Sequence, residues 1–479
     1  MGSILFVNFE VLNRLIETTL LQLFRINDPY RILLVFLILV IIRVVWITVG
    51  LPLSVPELKY LLIGERLGDG FTMYKELYDH TGPLSALVYK TIDLIFGRSR
   101  WVHLALSTLL VLAQAGIFNR ILIKVKAFDE NTYYPALFYA ICMSSVMDFF
   151  ALSPQLMSLT FVLTSLGQIF RRIGNDVTDK LFVTSGIYVG LAAGFYLPAI
   201  VFFPIFLLSF LLFSSAIARR LGLFIYGVLI VFLIVLGYFI WRRAGQEFIL
   251  DFFTIGISKP KIYYVSFFEY LQISTGLLIS WLIALTVIFT ERVTNYQQKI
   301  QQVMIFFLVA GVLIVFVTRD LMPSDMVYLA PTISFFMVLY FLKLKKRIWR
   351  FLMPIVIIVG LVAYPMIWIK FNPDSAILVK PPRIDVPDKA KVMGIGLPIN
   401  EYQNVQFTGP FLDDYITHIK LKDLDYYDAS PRMADAIIGS DADVIIDKLE
   451  IAPKMFRRFP DIGNQYRQIS EDKYIKINN

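Results

Sequence analysis

The chain has 479 residues, 57% hydrophobic and 17% charged, where a soluble globular protein carries about 25% charged residues. The shortfall falls on residues 30–370, a series of apolar runs, so the chain reads as one membrane domain and one small soluble domain rather than several soluble ones. The net charge of +8 is not a nucleic-acid signature, because the positive residues cluster in short loops between apolar runs, and the single cysteine, Cys142, excludes an internal disulfide.

Residues 1–29 carry Glu10, Arg14, Glu17 and Arg25 among apolar residues, with no small-residue cleavage site after an apolar core. The pattern over 4–25 predicts an amphipathic helix lying on the inner membrane surface. A bilayer span takes about 20 apolar residues, which predicts about eleven spans: 31–51, 101–123, 132–150, 153–170, 181–197, 199–215, 221–241, 266–289, 302–318, 326–342 and 351–369. Lys124 and Lys126, then Arg171, Arg172 and Lys180, then Arg219 and Arg220, then Arg292 and Lys299, and the run from Lys343 to Arg350 fall on one side, while connections near 150 and 198 carry none. The asymmetry predicts a cytoplasmic N-terminus and, with an odd number of spans, an extracytoplasmic C-terminal domain.

Two outer segments are too long to be turns, 52–100 and 242–265. The first predicts a helix over 58–67, a Gly68-Asp69-Gly70 turn, and an interfacial helix over 84–96. Ser54-x-x-Glu57 has the form of a capping box. Arg43, deep in the first span, calls for a structural partner. Residues 371–479 show apolar β-type runs at 391–396, 443–447 and 474–477, with helical stretches near 411–424, 430–438 and 453–458, which predicts a small α/β domain. In that domain Asp441-Ala-Asp443 reads as turn chemistry. Gly394-Ile-Gly396 lacks the third glycine and the helix of a dinucleotide site.

The stretch Gly70-Phe-Thr-Met-Tyr74-Lys-Glu76-Leu-Tyr-Asp79-His-Thr-Gly82-Pro83-Leu84, preceded by Glu57 just after the first span, resembles the first outer loop of GT-C integral-membrane glycosyltransferases. Aminoarabinose transferases and protein O-mannosyltransferases are of this kind. Glu57 stands where the family usually has Asp. Asp148, the Gly190–Pro198 stretch and Tyr328-Leu-Ala-Pro331 are similar to later elements of the family. The resemblance implies a membrane all-α fold with a terminal outer α/β domain, a bacterial inner-membrane location, and a polyprenyl-phosphate sugar donor. The acceptor would be an extracytoplasmic glycan, lipid or protein. It leaves a divalent cation open as cofactor. A non-catalytic subunit of an envelope assembly or secretion complex is the alternative.

Such chemistry needs a carboxylate base for the acceptor hydroxyl and cations for the leaving lipid phosphate, at the outer interface. Glu57 is the expected base and Asp148 the second acid. The expected substrate-binding residues are Tyr74, Glu76, His80, Arg100, Arg242, Arg243, Lys259, Lys261, Arg319 and Tyr328. The outer cations are expected to converge on one phosphate site. The histidines His80, His103 and His418 are isolated in sequence, so no histidine-rich metal site is expected.

Overall fold

The computed structural model describes residues 23–174, 178–213, 218–257, 262–290, 294–343, 347–422 and 429–477. Most of the amphipathic helix expected over 4–25 lies outside the described residues.

The first apolar run forms α1, Arg31–Val49, closed by Gly50 at φ 93°, a left-handed conformation that glycine adopts without a Cβ penalty. Ser54 then caps α2, Val55–Gly68, accepting the Glu57 N–H. Pro83 opens α3, Pro83–Phe96, where its missing N–H costs nothing. The long α4, Arg100–Lys124, follows.

The expected span over 132–150 is not one helix. It resolves into α5, Tyr134–Cys142, and a 3-10 turn, Met147–Phe150. Between them the Ser144 and Ser145 hydroxyls donate to the Ala140 and Cys142 carbonyls. Local side-chain bonds of this kind compete with the helical ladder.

Then come α6, Pro154–Ile173, α7, Asp179–Phe195, α8, Phe202–Phe213, and α9, Ala218–Trp241. The segment after α9 contains a short α10, Gly245–Phe248, and a π-helical stretch, Ile249–Ile255. Strand β1, Ile262–Tyr263, leads into α11, Phe267–Ile273, and α12, Thr275–Thr290. Helix α13, Asn295–Val317, precedes β2, Asp320–Leu321, which pairs in parallel with β1. A 3-10 stretch, Pro323–Leu329, continues as α14, Ala330–Lys343, and α15, Arg347–Phe371, ends the membrane part.

Among the described residues, five helices are long and apolar enough to cross a bilayer: α1, α4, α9, α13, and the 3-10 stretch with α14; the α11–α12 pair, bent by 66°, makes a sixth. Leu33, Leu37 and Ile41 of α1 and Leu229, Leu233 and Ile234 of α9 are exposed. Such all-apolar outer faces require lipid rather than water around them. Helices α7 and α9 pack closely because Gly186 and Gly227 face each other. A Cβ on Gly186 would sit 2.1 Å from the Phe224 carbonyl, and one on Gly227 2.3 Å from the Val183 carbonyl. Small residues at a membrane helix interface allow this approach.

The C-terminal segment folds around a five-stranded sheet, order β4-β3-β5-β7-β6. Its elements are β3, Lys391–Ile395, β4, Gln406–Phe407, α16, Asp414–Lys422, α17, Ala429–Ser440, β5, Val444–Asp447, α18, Ala452–Arg458, α19, Pro460–Gly463, β6, Tyr466–Ser470, and β7, Lys473–Lys476. Strand β3 pairs in parallel with β4 and β5, and β7 runs antiparallel to β5 and β6. The three expected strands are present. β4 and β6 are additional, one too short and the other too exposed to show the alternation of a half-buried strand. Val392, Ile395, Val444, Ile445 and Ile446 are buried, and Ile475 is half-buried.

The sheet domain sits on the segment between α1 and α4. The Tyr78 N–H donates to the Pro410 carbonyl at 2.8 Å, and the Asp413 N–H donates to the Tyr78 carbonyl at 3.0 Å. Arg98 donates to the carbonyls of Val405, Tyr402 and Gln403. The connecting segment also returns to the loop, where the Val55 N–H donates to the Ile377 carbonyl.

Candidate active site

Helix α2 carries both Glu57 and Lys59. Two residues apart on a helix of 3.6 residues per turn, they point to nearly opposite sides. Their surroundings differ accordingly.

On the Lys59 side a small cavity of 40 Å³ is lined by Lys59, Tyr60, His80, Gln155, Tyr196, Arg319 and Asp320, among others. The loop carrying His80 is held close by Gly82, whose hypothetical Cβ would lie 2.1 Å from the Phe195 carbonyl at the end of α7. Asp320 is fixed by the β1–β2 pair. Around the cavity the charges alternate. Lys59 Nζ is 2.6 Å from Asp79 Oδ2 and 3.9 Å from Asp320 Oδ2. His80 Nε2 is 3.3 Å from Asp320 Oδ2, and His80 Nδ1 is 3.2 Å from Asp413 Oδ2. Arg319 Nη2 donates to Asp413 Oδ1 at 3.0 Å.

All of these except His80 are buried. Burial works against the Asp413 carboxylate, but His80, Lys59 and Arg319 outweigh it and hold its pKa well below the usual range. Asp79 is likewise lowered, burial being outweighed by Lys59 and His80. Burial also works against the Lys59 ammonium, and Asp79 together with Asp320 reverses this and raises it. Asp320 is the exception in one respect: neither of its oxygens accepts a hydrogen bond from a described residue. It is a buried carboxylate on the cavity wall, with Oδ1 3.8 Å from Arg319 Nε and Oδ2 facing His80 and Lys59.

On the Glu57 side the carboxylate is enclosed by its own partners. Glu57 is 4% exposed. Its Oε1 accepts from Arg100 Nε at 2.9 Å, and Arg100 also donates to the Leu51 and Pro52 carbonyls. Burial raises the Glu57 pKa, and Arg100 and the Ser54 backbone oppose the rise. Asp148 joins this side through Ser54, whose hydroxyl donates to Asp148 Oδ1 while the Ser324 N–H donates to Oδ2. Arg43 stacks its guanidinium 3.8 Å over the Phe150 ring, but none of its buried nitrogens finds a hydrogen-bond partner among the described residues.

The expected binding residues divide in the same way. His80 and Arg319 line the cavity, and Tyr328 is buried behind it, 6.4 Å from the Tyr196 ring. Tyr74, at φ 69°, is packed among Phe239, Phe248 and Phe252, and its hydroxyl donates to the Thr81 carbonyl. Glu76 and Arg242 meet at Thr72, accepting its N–H and donating to its hydroxyl respectively. Arg243 is exposed. Lys259 and Lys261 lie outside the described residues. The expected convergence of outer cations therefore fails among the described residues: Arg100 and Arg242 each serve local contacts, and only Arg319 reaches the cavity. The cation that joins it is Lys59. Asp320 is marked in the sequence only as a neighbour that can pair with Arg319, whose Nε lies 3.8 Å from Asp320 Oδ1, and nothing local marks Asp413, which comes from a remote segment.

Asp79, His80 and Asp413 each offer one ligand atom, all within 4.8 Å of one another, and are the described group that could hold a metal ion. The donor set does not fit one well. Lys59 and Arg319 already neutralise both carboxylates at ion-pair distance, so a divalent cation would sit beside two fixed positive charges.

Compared by sequence, the chain matches no protein-family model and no curated protein. Compared by structure, it is similar to the crystal structure of ArnT from Cupriavidus metallidurans in the apo state, at 11% identity over 92% of this chain and 97% of that one, with a TM-score of 0.54. It also aligns with ArnT from Cupriavidus metallidurans bound to undecaprenyl phosphate, at 11% identity over 91% and 89% of the two chains and a TM-score of 0.49. A third alignment is with the Archaeoglobus fulgidus oligosaccharyltransferase complex with Zn and sulfate, at 12% identity over 91% and 71% and a TM-score of 0.44. The chain is an integral membrane protein that shares its fold with the apo ArnT structure.

Proposed function

We propose that this chain is a membrane glycosyltransferase that takes a sugar from a polyprenyl-phosphate donor and delivers it to a glycan, lipid or protein outside the membrane. The single observation that supports the reading is the gathering of two cations, Lys59 and Arg319, around the buried carboxylate of Asp320 on one cavity. In this reading Asp320 takes the proton of the acceptor hydroxyl. The hydroxyl oxygen bonds to the anomeric carbon as the bond from that carbon to the phosphate oxygen breaks. Lys59 and Arg319 hold the departing lipid phosphate. Glu57 and Asp148 act as positioning residues that set the start of α2, and so the place of Lys59. About eleven spans, a cytoplasmic N-terminus and an extracytoplasmic domain over 371–479 complete the proposal, in a bacterial inner membrane.

A second reading rests on a different observation. Each cation at the cavity already has a carboxylate partner, and 40 Å³ is room for about one water, against roughly 300 Å³ or more for a ligand site. That favours a non-catalytic GT-C-fold subunit of an envelope assembly or secretion complex. The test is retention of undecaprenyl phosphate by the purified full chain, together with transfer from labelled polyprenyl-phosphate sugars. The transferase reading expects retention that Arg319→Ala weakens, and transfer that Asp320→Asn lowers by about two to four orders of magnitude. Neither retention nor transfer by the unaltered protein would decide for the second reading.

A further inference from the structure

A pocket of 440 Å³ opens between the sheet domain and the loop that follows α2, within the roughly 300–1,000 Å³ of ligand sites. Arg66 and Phe71 line it from the end of α2 and the loop, Glu247 from α10, and Lys420 and Asp435 from α16 and α17. It shares no lining residue with the cavity around Lys59. Hydrogen bonds hold its walls in place. Glu76 accepts the Thr72 N–H at 2.7 Å and so closes the loop on itself. Lys420 donates to Asp251 Oδ2 at 2.6 Å and to the Tyr74 carbonyl at 2.9 Å, which ties α16 to the π-helical stretch and to the loop.

Lys420 thus has its anion, and Arg66 does not. Arg66 is 3% exposed, its guanidinium lies 3.2 Å over the Phe71 ring, and its Nε has no hydrogen-bond partner among the described residues. Burial pushes its pKa down to about 10, against the pull of Asp69, Glu76 and Glu65. A buried cation that lacks a paired anion is costly, and the guanidinium fork fits a carboxylate through two parallel hydrogen bonds. The other walls favour different groups. Glu247 is half-buried and Asp435 exposed. Carboxylates there repel a bare anion, yet they accept hydrogen bonds from hydroxyls. A ligand that offers one carboxylate to the buried end and hydroxyls to the rest has the chemistry of a sugar acid.

We propose that this pocket binds a carboxylate-bearing sugar, with its carboxylate on Arg66 and its hydroxyls on Glu247 and Asp435. The inference stands apart from the transferase reading. It uses none of the residues given a part in transfer, and it holds equally for a non-catalytic subunit.

The test uses the purified full chain in detergent micelles, with glucuronate, glucose and inorganic phosphate as probes, read by saturation-transfer NMR titration. Glucuronate should bind, and glucose, which lacks the carboxylate, should bind about tenfold or more weakly. Arg66→Met keeps an unbranched stem over Phe71 and strands no partner, so it should melt no lower than the unaltered protein. It should weaken glucuronate binding roughly ten- to hundred-fold, the worth of a hydrogen bond to a charged group. Gly439 lines the pocket, and a Cβ there would meet nothing within 4 Å. Gly439→Leu should therefore fold and narrow the pocket, lowering glucuronate binding with Arg66 intact. Equal binding of glucose and glucuronate, or undiminished glucuronate binding by either variant, would overturn the proposal. So would the absence of glucuronate binding at millimolar concentration. Competition by inorganic phosphate as strong as that by glucuronate would also overturn it, by making the pocket a site for small anions only.

Discussion

Arg319 and Asp413 meet at 3.0 Å with both side chains buried, and through them the turn after α13 is tied to the first residue before α16. Asp413 has a second duty there, accepting the Ile416 N–H at 2.9 Å. Removing one partner of a buried pair costs about 3–5 kcal/mol, because the other charge is left unpaired. Asp413→Asn keeps the cap and removes the charge. It should therefore lower the melting temperature and make the C-terminal domain more sensitive to protease. Because Asp413 is held well below the usual carboxylate range, its contribution is present above the unfolded-state pKa and is lost only as pH falls through the low folded value. The difference between the two proteins should accordingly be full at neutral pH. Identical melting at pH 7 would remove the pair from the account of how the domains are joined.

Glu65 titrates in the opposite sense. Burial raises its pKa from 4.5 to about 7, with Arg98 opposing. The folded value lies above the unfolded one, so its contribution is fully present below about 4.5 and is lost as pH rises through about 7. Stability should fall across that interval, by roughly 3 kcal/mol at most. Glu65→Gln should flatten the dependence. Melting curves of the two proteins at several pH values check this, and parallel profiles would exclude Glu65 as the source.

Ile445 lies in β5, the central strand, between β3 and β7, and is fully buried. Ile445→Asp would bury an unpaired carboxylate, a change beyond the usual 0.5–3 kcal/mol of point substitutions. The C-terminal domain should unfold while the membrane helices stay intact. Circular dichroism with limited proteolysis would show domain loss with helical signal retained. An intact domain in this variant would contradict the sheet register.

The elements most legible in sequence were those set by composition and local signals. The apolar runs of α1 and α9, the cap at Ser54, Pro83 at the start of α3, and the β-rich runs at 391–395 and 444–447 all follow from residues adjacent to one another. The cavity does not. Lys59 reads locally as one charge on an amphipathic helix, and its role depends on which way α2 is rotated. Asp320 and Asp413 are 93 residues apart in number and are brought together only when the C-terminal domain docks on the loop. The cations that looked equivalent at the outer boundary, Arg100, Arg242 and Arg319, are separated because each finds a different local partner. The resemblance carried by Gly70–Leu84 pointed to the loop whose His80 lines the cavity. It pointed to Glu57 within that region, on the opposite side of α2 from Lys59.

Glu57 and Arg100 give the last expected outcome. Glu57 is buried and places Oε1 2.9 Å from Arg100 Nε, while Arg100 also holds the Leu51 and Pro52 carbonyls. The pair thus ties the start of α4 to the segment that enters α2. A base needs a free lone pair facing substrate space, and Glu57 faces a guanidinium. Glu57→Gln preserves shape and leaves Ser54 to accept the backbone N–H at the cap, but takes the anion from Arg100. A hydrogen bond to a charged group is worth about 1.5–3 kcal/mol, so the variant should lose about that much stability. Arg100→Gln should lose a similar amount. The double variant should lose less than the sum, with a coupling of about 0.5–3 kcal/mol for residues in contact. Transfer per folded molecule should stay near the unaltered value if Glu57 only positions α2. Unchanged melting together with a loss of transfer by about two orders of magnitude or more would instead make Glu57 the base and move the reacting centre to the other side of the helix.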